Sequence, residues 1–429
     1  MTVTAPPPAG LTGPAAITGP AAITDTAAIT DTAALTDTAA LTDPSVLTDP
    51  GAHARGDAHQ TWRWMRANAP VYRHDAAAMP AFWSLTRYDD IREAYRDHAL
   101  FSSARGVLLR PASSGADPGG GMTLALCDPP RHKQLRSLVA AWFSQRSVRD
   151  LEEPIRAAVG ATLATAAARG GGDGVLDIAG RLSSHVICTL LGVPAADRER
   201  VFAWTNEAYT AHVPLAGQHD LMDYFSELMY DRMTEPRDDI VSALAGGELD
   251  GGLLTEQEIL MNCENLIGAT ENGRLAIAGG ILALLEHPGQ WRRLTADPGL
   301  VPAAVEEVLR WTSSAVHSLR TATRDTRIRG QLIAAGEQVV LWLPSANRDE
   351  AIFERPDQLD VGRRPNRHLA LGGGEHFCLG SALARAQLRV LLTELLASPF
   401  TFELAGPVIP VSSLAVSGPQ ALPLRVAWR

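Results

Sequence analysis

Cysteine is scarce in this sequence, and the few cysteines do not cluster. There are four, and no two of them form a Cys-x-x-Cys pair: Cys127, Cys188, Cys263 and Cys378. Closely spaced cysteines are the usual signature of structural zinc sites and of disulfide frameworks. The sequence therefore predicts neither kind of site. Scattered reduced thiols are typical of a cytoplasmic protein.

Long apolar runs and an excess of positive charge are also absent. No stretch approaches the ~18 apolar residues that suggest a membrane-spanning helix, and the N-terminus lacks the basic start and apolar core of a secretion signal. The formal net charge is −10, and Lys133 is the only lysine. We therefore expect a cytoplasmic protein whose partners are neither nucleic acids nor membranes.

The N-terminal part of the chain is a hexapeptide repeat with little to bury. Thr-Gly-Pro-Ala-Ala-Ile at positions 12–17 recurs with variations and fades at positions 42–47. One large apolar residue in each repeat cannot form the buried face of a helix or a strand. We predict that residues 1–46 are a disordered tail, with a docking arm as the alternative, and that residues 47–429 form the folded domain.

The rest of the chain has mainly helical periodicity. The longest predicted helix runs from Thr255 to about Glu286 and begins with a capping box, Thr255–Glu258. Short strands such as Gln338–Leu343 and C-terminal β-hairpins complete a fold that is mainly α with minor β. The other predicted helices are His59–Ala69, Asp90–His98, Pro130–Trp142, Leu151–Ala168, Ile178–Leu191, Ala196–Ala211, Gln218–Glu235, Val301–Trp311 and Leu379–Leu396.

The most informative stretch is a glycine-rich loop, His368–Gly380, which contains Cys378 just before a helix. Backbone N–H groups at a helix N-terminus favour a thiolate. Glycines let such a loop approach a flat cofactor closely. On the local pattern alone, a buried structural cysteine after a turn is an equally good interpretation.

The spacing in this loop resembles the haem-ligand signature of the cytochrome P-450 family, Phe-Gly-x-Gly-x-His/Arg-x-Cys-x-Gly. Every fixed position matches except the first, where Leu371 replaces phenylalanine. The resemblance implies that Cys378 is the axial ligand of haem b, and that its thiolate favours cleavage of the O–O bond. It also implies that His376 contacts a haem propionate.

Other motifs match the same family in chain order. His132 and Arg136 lie at i and i+4 on one helix, and the resemblance implies that they contact the haem propionates together with Arg320. Without it, an exposed polar helix face is the better interpretation of the first two. The resemblance further implies a structural network in which Arg363, from the loop segment 353–363, joins Glu307 and Arg310 of a Glu-x-x-Arg motif. The resemblance covers residues 47–429, and it implies that haem lies between the long central helix and the cysteine loop.

The central helix departs from the family pattern Ala-Gly-x-Asp/Glu-Thr, which corresponds here to Gly268–Asn272. The resemblance implies catalytic roles for Glu271, which keeps the acid, and for Asn272, which replaces the threonine that helps deliver protons. Thr270 is not an obvious substitute, because at ~100° per residue it points roughly opposite to position 272. Two alternatives stay open: Glu271 pairs with Arg274 on the helix face, and Asn272 bonds a backbone carbonyl.

The resemblance implies a monooxygenase that hydroxylates or epoxidises a small hydrophobic molecule, free or bound to a carrier protein, in antibiotic or other specialised-metabolite biosynthesis. The alternatives are a haem oxidase that couples, desaturates or rearranges its substrate, and a non-catalytic haem sensor. By analogy with the family's chain order, the substrate pocket includes segment 209–212 and Val107, Leu108, Ile267, Ala269, Thr270, Val316, Leu319 and Leu414.

The electrons are expected from separate proteins, a ferredoxin and its reductase, because no flavin or nicotinamide domain fits in this length. A basic face could bind an acidic ferredoxin despite the negative total charge. We expect this face to contain Arg131, Lys133, Arg385 and Arg389.

Removal of residues 1–41 tests the predicted division of the chain. Because the repeat cannot contribute to a packed core, the shortened protein should bind as much haem as the full chain. The haem content of the two purified proteins, measured from their absorption spectra, decides this. Lost haem incorporation would show that the tail is structural.

Overall fold

The computed structural model describes residues 43–75, 79–115, 117–210 and 217–428, without the side chains of residues 112, 209 and 210. The predicted tail lies outside the described residues except for its last four positions. About 54% of the part of the chain that the structure describes is helical, and the sheets are small. The predicted fold class, mainly α with minor β, is confirmed.

The helices occur where the periodicity predicts them, with ends that differ by a few residues. The sequence pattern missed several short helices and the helix after His287. Along the chain the helices are α1 (Pro50–Arg55), α2 (Ala58–Asn68), α3 (Tyr88–Arg96), α4 (Arg131–Val139), α5 (Gln145–Asp150), α6 (Glu152–Ala168), α7 (Arg181–Leu190), α8 (Arg198–Thr210), α9 (Gln218–Thr234), α10 (Ile240–Ala245), α11 (Glu256–Gly268), α12 (Thr270–Glu286), α13 (Pro288–Ala296), α14 (Val301–Thr312), α15 (Leu343–Ala346) and α16 (Ser381–Ala397).

The long central helix is interrupted once. It begins with the predicted capping box between Thr255 and Glu258. It then divides at Ala269, which keeps helical dihedral angles of φ −62° and ψ −21°. The hydroxyl of Thr270 donates to the carbonyl oxygen of Ile267 at 2.6 Å. Such a side-chain bond competes with the regular backbone ladder of a helix, and it lies at the junction of α11 and α12.

The strands form small sheets. They are β1 (Val71–His74), β2 (Phe82–Leu85), β3 (Phe101–Ser102), β4 (Gly171–Asp173), β5 (Glu248–Leu249), β6 (Gly252–Leu253), β7 (His317–Ala322), β8 (Thr326–Ile328), β9 (Gln331–Ile333), β10 (Gln338–Trp342), β11 (Phe400–Leu404), β12 (Ile409–Pro410), β13 (Pro419–Ala421) and β14 (Pro423–Trp428). The largest sheet has the strand order β1-β2-β10-β7-β3. Strand β10 pairs in parallel with β2 and antiparallel with β7, where Leu341 lies opposite Ser318.

Successive side chains of a strand point to opposite faces of its sheet, and this alternation divides β7. His317 and Leu319 face a cluster of buried residues centred on Trp62 and Trp342, called the tryptophan cluster below. Ser318 and Arg320 face the other way, toward a cavity that Cys378 also lines.

A buried ionic network joins α14 to the loop that follows α15. The Glu307 carboxylate accepts hydrogen bonds from Arg310 Nε and Nη2, each at 2.8 Å, and from Arg363 Nε at 3.0 Å. Asn366 Nδ2 and the backbone N–H of Asp360 donate to it at 3.0 and 2.9 Å. The structure therefore brings together the three residues that the sequence placed in one network.

Among the described residues, no helix combines the length and the apolar character needed to cross a membrane.

Candidate functional site

A cavity of about 380 Å³ lies between the central helix, strand β7 and the loop before α16. This volume is in the range of small-molecule and cofactor sites, ~300–1,000 Å³. Most of its wall is apolar, with a few polar groups that converge on it. The central helix contributes Leu266, Ala269, Thr270, Asn272, Gly273 and Ala276, and the cysteine loop contributes Ala370, Leu371, Gly372, His376 and Cys378.

Cys378 lies on the wall of this cavity, just before α16. Its backbone N–H donates to the carbonyl oxygen of Leu371 at 3.0 Å, which closes the loop behind the thiol. Burial raises the pKa of the Cys378 thiol, while a backbone N–H of Gly380 and the charges of Arg136 and Arg385 act in the opposite direction. A cation bound to the sulfur would deprotonate it outright.

The other three cysteines do not line the cavity. Cys127, Cys188 and Cys263 are buried in the helical core. Burial raises their pKa values to about 11, 11 and 12. Buried thiols of this kind are inert, so Cys378 is the cysteine whose position suits a ligand role.

Two histidines meet beside the cysteine loop, and both have a nitrogen atom without a partner. The rings of His132 and His376 lie 4.2 Å apart between centroids. His132 Nδ1 and His376 Nε2 are buried and have no hydrogen-bond partner among the described residues. Burial and nearby positive charges, chiefly that of Arg320, lower the pKa of His376 to about 3. Buried polar atoms are normally hydrogen-bonded, so these two nitrogens point to a further group in the cavity.

Two arginines add positive charge to the same region. Arg320 is buried, contacts the ring of Tyr95 and forms no ion pair with any described residue. Its Nη1 donates to the carbonyl oxygen of Leu319 at 2.7 Å. Arg136 Nη2 donates to the carbonyl oxygen of Phe377 at 2.9 Å. A buried charge without an ion pair is costly, so Arg320 fits a ligand that brings negative charge, and the half-buried Arg136 adds a second positive charge nearby.

The loop depends on glycine at two positions with left-handed backbone conformation, Gly372 (φ +69°) and Gly374 (φ +63°). Gly372 lines the cavity. Gly374 instead packs against α3, where an added Cβ would overlap the carbonyl oxygen of Tyr95. The sequence explained both glycines by the approach of a cofactor, and for Gly374 the observed reason is the approach of Tyr95. No sequence signal identified Tyr95 as part of the site.

The residues present fit haem. A thiol lies on one wall, the wall is largely apolar, and two carboxylates could bind to the unpartnered nitrogens of two histidines and to two arginines that form no ion pair with any described residue. This fit depends on the chemistry of the donors and on the unpartnered nitrogens of His132 and His376. Thiolate ligation and carboxylate-binding arginines are the features that such a cofactor requires.

Asn272 and Thr270 both line the cavity on the side of the central helix. Both residues can line it although they lie on different sides of the helix, because the cavity extends over more than one helix face, from Leu266 to Ala276. The Thr270 hydroxyl already donates to Ile267. Oδ1 of Asn272 is buried and has no partner within the described part of the chain. The Asn272 amide is thus available to a bound molecule or water.

Glu271 does not line the cavity. Its Oε1 accepts a hydrogen bond from Arg274 Nη2 at 2.5 Å, and both side chains are largely buried. Arg274 also donates to Asn206 Oδ1 of α8 at 2.9 Å. The structure therefore has the alternative arrangement, a helix-face carboxylate paired at i+3. A direct catalytic contact by Glu271 is not observed.

The substrate pocket differs in part from the sequence prediction. Val107, Ala269 and Thr270 line the cavity, whereas five predicted residues lie elsewhere. Leu108 is 43% exposed and Ile267 packs in the helical core. The other three pack in the tryptophan cluster: Val316, Leu319 and Leu414. Segment 209–212 lies beyond the described side chains.

Each of the four charges of the predicted basic face has a carboxylate partner, so the structure gives this face little net positive charge. Arg131 pairs with Asp250 and Glu258, and Lys133 pairs with Glu375. The remaining pairs are Arg385–Glu306 and Arg389–Glu152. Sequence reasoning counted the cations and could not see acids that are distant along the chain.

The chain is similar to known proteins over most of its length. The family model described as cytochrome P450 matches residues 197–415. Cytochrome P450 NovI of Streptomyces niveus is 36% identical over 383 residues, which cover 87% of this chain and 94% of that protein. The steroid C26-monooxygenase of Mycolicibacterium smegmatis is 36% identical over 385 residues, which cover 87% and 93%.

A solved structure agrees with these matches. The crystal structure of P450 OxyD, described as involved in the biosynthesis of vancomycin-type antibiotics, is 34% identical and has a TM-score of 0.83, covering 89% of this chain and 99% of that chain. The structure of P450BioI, solved in complex with a fatty-acid-ligated acyl carrier protein, is 29% identical and has a TM-score of 0.77. It covers 90% of this chain and 99% of that chain.

Proposed function

The chain belongs to the cytochrome P450 family of oxygen-incorporating oxidoreductases, and from that premise we propose that it hydroxylates or epoxidises a small hydrophobic molecule in specialised-metabolite biosynthesis. One observation carries the proposal. Cys378 and Asn272 line a single, largely apolar cavity, next to buried donors that have no partner of their own.

We propose that Cys378 ligates haem b, and that His132, Arg136, Arg320 and His376 bind its propionates. Haem with a thiolate ligand supplies the activation of dioxygen. The protein would hold the cofactor by burying its apolar surface and by neutralising its carboxylates with arginines that otherwise have no ion pair. Leu371, in place of phenylalanine, lines the cavity next to Gly372.

The apolar wall selects a hydrophobic substrate. Val107, Leu266, Ala269 and Ala315 line the cavity together with the methyl-bearing Thr270. Burial of apolar surface contributes ~25 cal/mol per Å² to binding, so shape and apolar area favour substrates with few polar groups. Asn272 offers one amide for orientation. We propose that the substrate is either free or attached to a carrier protein, as in the P450BioI complex.

Two electrons per turnover are proposed to come from a ferredoxin and its reductase, the partners that bacterial members of the family generally use. The charges of the predicted basic face are paired with carboxylates, so this face does not support the choice of partner.

Turnover with a surrogate ferredoxin and reductase tests the proposed function. The enzyme is supplied with isotopically labelled dioxygen and candidate metabolites of the producing strain, and products are analysed by mass spectrometry. Incorporation of one labelled oxygen atom is expected. An oxidised product without label would favour the coupling or desaturating oxidase, and the absence of any turnover despite haem reduction would favour a sensor.

Asn272→Thr should change the product formed per reductant consumed, with folding and haem content unchanged. A hydroxyl donates and accepts on one rotating atom and can relay a proton, whereas an amide separates its donor from its acceptor. We propose that Asn272 instead holds a water molecule or a polar group of the substrate. Product, reductant and hydrogen peroxide are measured together in wild type and variant.

Glu271→Ala, in the same assay, should lower turnover by about tenfold and haem binding much less. The expected loss of turnover is smaller than the ~10²–10⁴-fold contribution of a residue that acts directly as a general acid or base, because Glu271 contacts Arg274 and does not line the cavity. Glu271→Gln is the matched control that keeps a hydrogen-bond acceptor for Arg274. Unchanged coupling in both the Asn272 and Glu271 variants would leave these residues without a role in the reaction.

A further inference from the structure

His317 joins segment 106–109, which contributes to the cavity wall, to segment 413–417, which packs beside another part of that wall, and it does not line the cavity itself. It begins β7 and is 3% exposed, with its ring 5.5 Å from that of Trp342 in the tryptophan cluster. Its Nε2 lies 2.7 Å from the backbone nitrogen of Leu109, and its Nδ1 lies 2.9 Å from the carbonyl oxygen of Leu414. Both partners are backbone groups of other segments.

These partners fix the protonation of the ring. The N–H of Leu109 can only donate, so Nε2 must be the unprotonated acceptor. Nδ1 then carries the proton and donates to Leu414, which leaves the imidazole neutral. Burial lowers the pKa of His317 to about 4, opposed by the hydrogen bond to Leu414, so the ring is neutral at neutral pH. The neutral ring is the form that bonds both segments at once.

The first segment, 106–109, forms part of the cavity wall through Val107. The backbone N–H of Leu319 donates to the carbonyl oxygen of Val107 at 2.8 Å. Two residues farther along, the imidazole of His317 takes the N–H of Leu109 in place of a backbone carbonyl. Leu109 itself packs in the tryptophan cluster. The segment is thus held to β7 by one backbone bond and one side-chain bond, on either side of the exposed Leu108.

The second segment, 413–417, runs along the residues that precede β7. Val316 donates to the carbonyl oxygen of Ala415 at 2.9 Å, and Ser417 donates to that of Ser314 at 2.8 Å. Ser314 and Ala315 line the cavity. His317 adds the bond to Leu414 at the end of this ladder. Segment 413–417 does not line the cavity itself, but it is bonded to Ser314 and to Val316 beside Ala315, and the buried ring of His317 bonds it to segment 106–109 as well.

We propose that His317 is a positioning residue that sets the shape of the substrate cavity by joining segment 106–109 to segment 413–417. The inference rests on the proposed function, because it takes this cavity as the place where substrate binds. The residue acts through Val107 and Ala315, which line the cavity, and it contacts no ligand directly.

The test compares His317→Phe with His53→Phe in the haem-containing protein. Phenylalanine keeps an aromatic ring against Trp342 and removes both hydrogen bonds. His53 is a matched control, because it also stacks on Trp342, at 5.8 Å, but its Nε2 contacts only the carbonyl oxygen of Leu47. Two quantities are measured. The first is the rate of hydrogen–deuterium exchange of the Leu109 amide. The second is the affinity for imidazole and for phenylimidazole, which is followed by the shift of the haem absorption band.

We expect His317→Phe to lower the protection of the Leu109 amide by about tenfold, as for a lost hydrogen bond of ~1.4 kcal/mol. It should weaken phenylimidazole binding about tenfold relative to imidazole, because the larger ligand reaches the displaced wall. His53→Phe should change neither quantity. His317→Gln, which can still accept and donate, should fall between the two and serves if the phenylalanine variant does not fold.

Wild-type protection of Leu109 in His317→Phe would overturn the proposal, as would an unchanged ratio of the two azole affinities. The Leu124 amide serves as a reference, because its N–H donates to Asn262 and not to His317. An equal loss of protection at Leu109 and Leu124 would indicate general destabilisation of the protein, and it would also overturn the proposal. The exchange measurement does not depend on the reaction that the enzyme catalyses. Failure of the proposed function would therefore appear in the turnover assay and leave the exchange result unaffected.

Discussion

Glu307→Ala should leave little soluble protein that contains haem. The carboxylate is fully buried and accepts hydrogen bonds from two buried arginines, an asparagine and a backbone N–H. Removal would strand the charges of Arg310 and Arg363 inside the protein. Breaking a buried ion pair in this way costs ~3–5 kcal/mol, which is a large part of the ~5–15 kcal/mol that stabilises a typical domain.

Two further variants separate the effect of charge from the effect of shape. Glu307→Gln keeps most of the acceptor geometry and loses the charge, so its yield should be intermediate. Glu306→Ala is the matched control on the same helix. The Glu306 carboxylate is partly exposed and pairs with Arg385 and His368, so its loss should cost less, nearer the ~0–1 kcal/mol of surface pairs.

The yield of soluble haem protein and the midpoint of thermal unfolding measure these effects. A normal yield of the Glu307→Ala protein, combined with slow turnover, would contradict a structural role and would place Glu307 in the chemistry of the reaction. We expect the reverse, because Arg310 also donates to the carbonyl oxygens of Asn347 and Pro356 and thereby anchors the following loop.

The helices could be predicted from the sequence because their signals are local. The capping box of Thr255 and Glu258, and the apolar periodicity after it, need no knowledge of distant residues. The division of the central helix at Ala269 could not be predicted in this way. Ala269 retains helical dihedral angles, and the competing bond comes from the hydroxyl of Thr270, a residue that is also compatible with an unbroken helix.

The substrate pocket was predicted less well because its faces depend on tertiary packing. The family's chain order suggested Val316 and Leu319, but both pack in the tryptophan cluster. For Leu319 the reason is its place in β7, whose pairing with β10 turns this side chain away from the cavity. The polar residues Ser318 and Arg320 face the cavity instead. One step along a strand reverses the face, and the sequence alone does not say which face meets the cavity.

The roles of charged residues showed the same limit. The spacing of Glu271 and Arg274 allowed an ion pair as one of two interpretations, and Asn206 on α8 completes the arrangement that is observed. For Arg389 the partner is Glu152 on α6, more than two hundred positions away along the chain. Contacts of this range are set by helix packing, so the sequence motifs could indicate the charged residues but not their partners.

The reduced carbon-monoxide complex of Cys378→Ser tests the central claim most directly. Cys188→Ser is the matched control, since Cys188 is buried in the helical core and does not line the cavity. The account predicts that the wild type and Cys188→Ser show the absorption band of thiolate-ligated haem, and that Cys378→Ser loses it completely. Retention of that band by Cys378→Ser would contradict the assignment of Cys378 as the haem ligand.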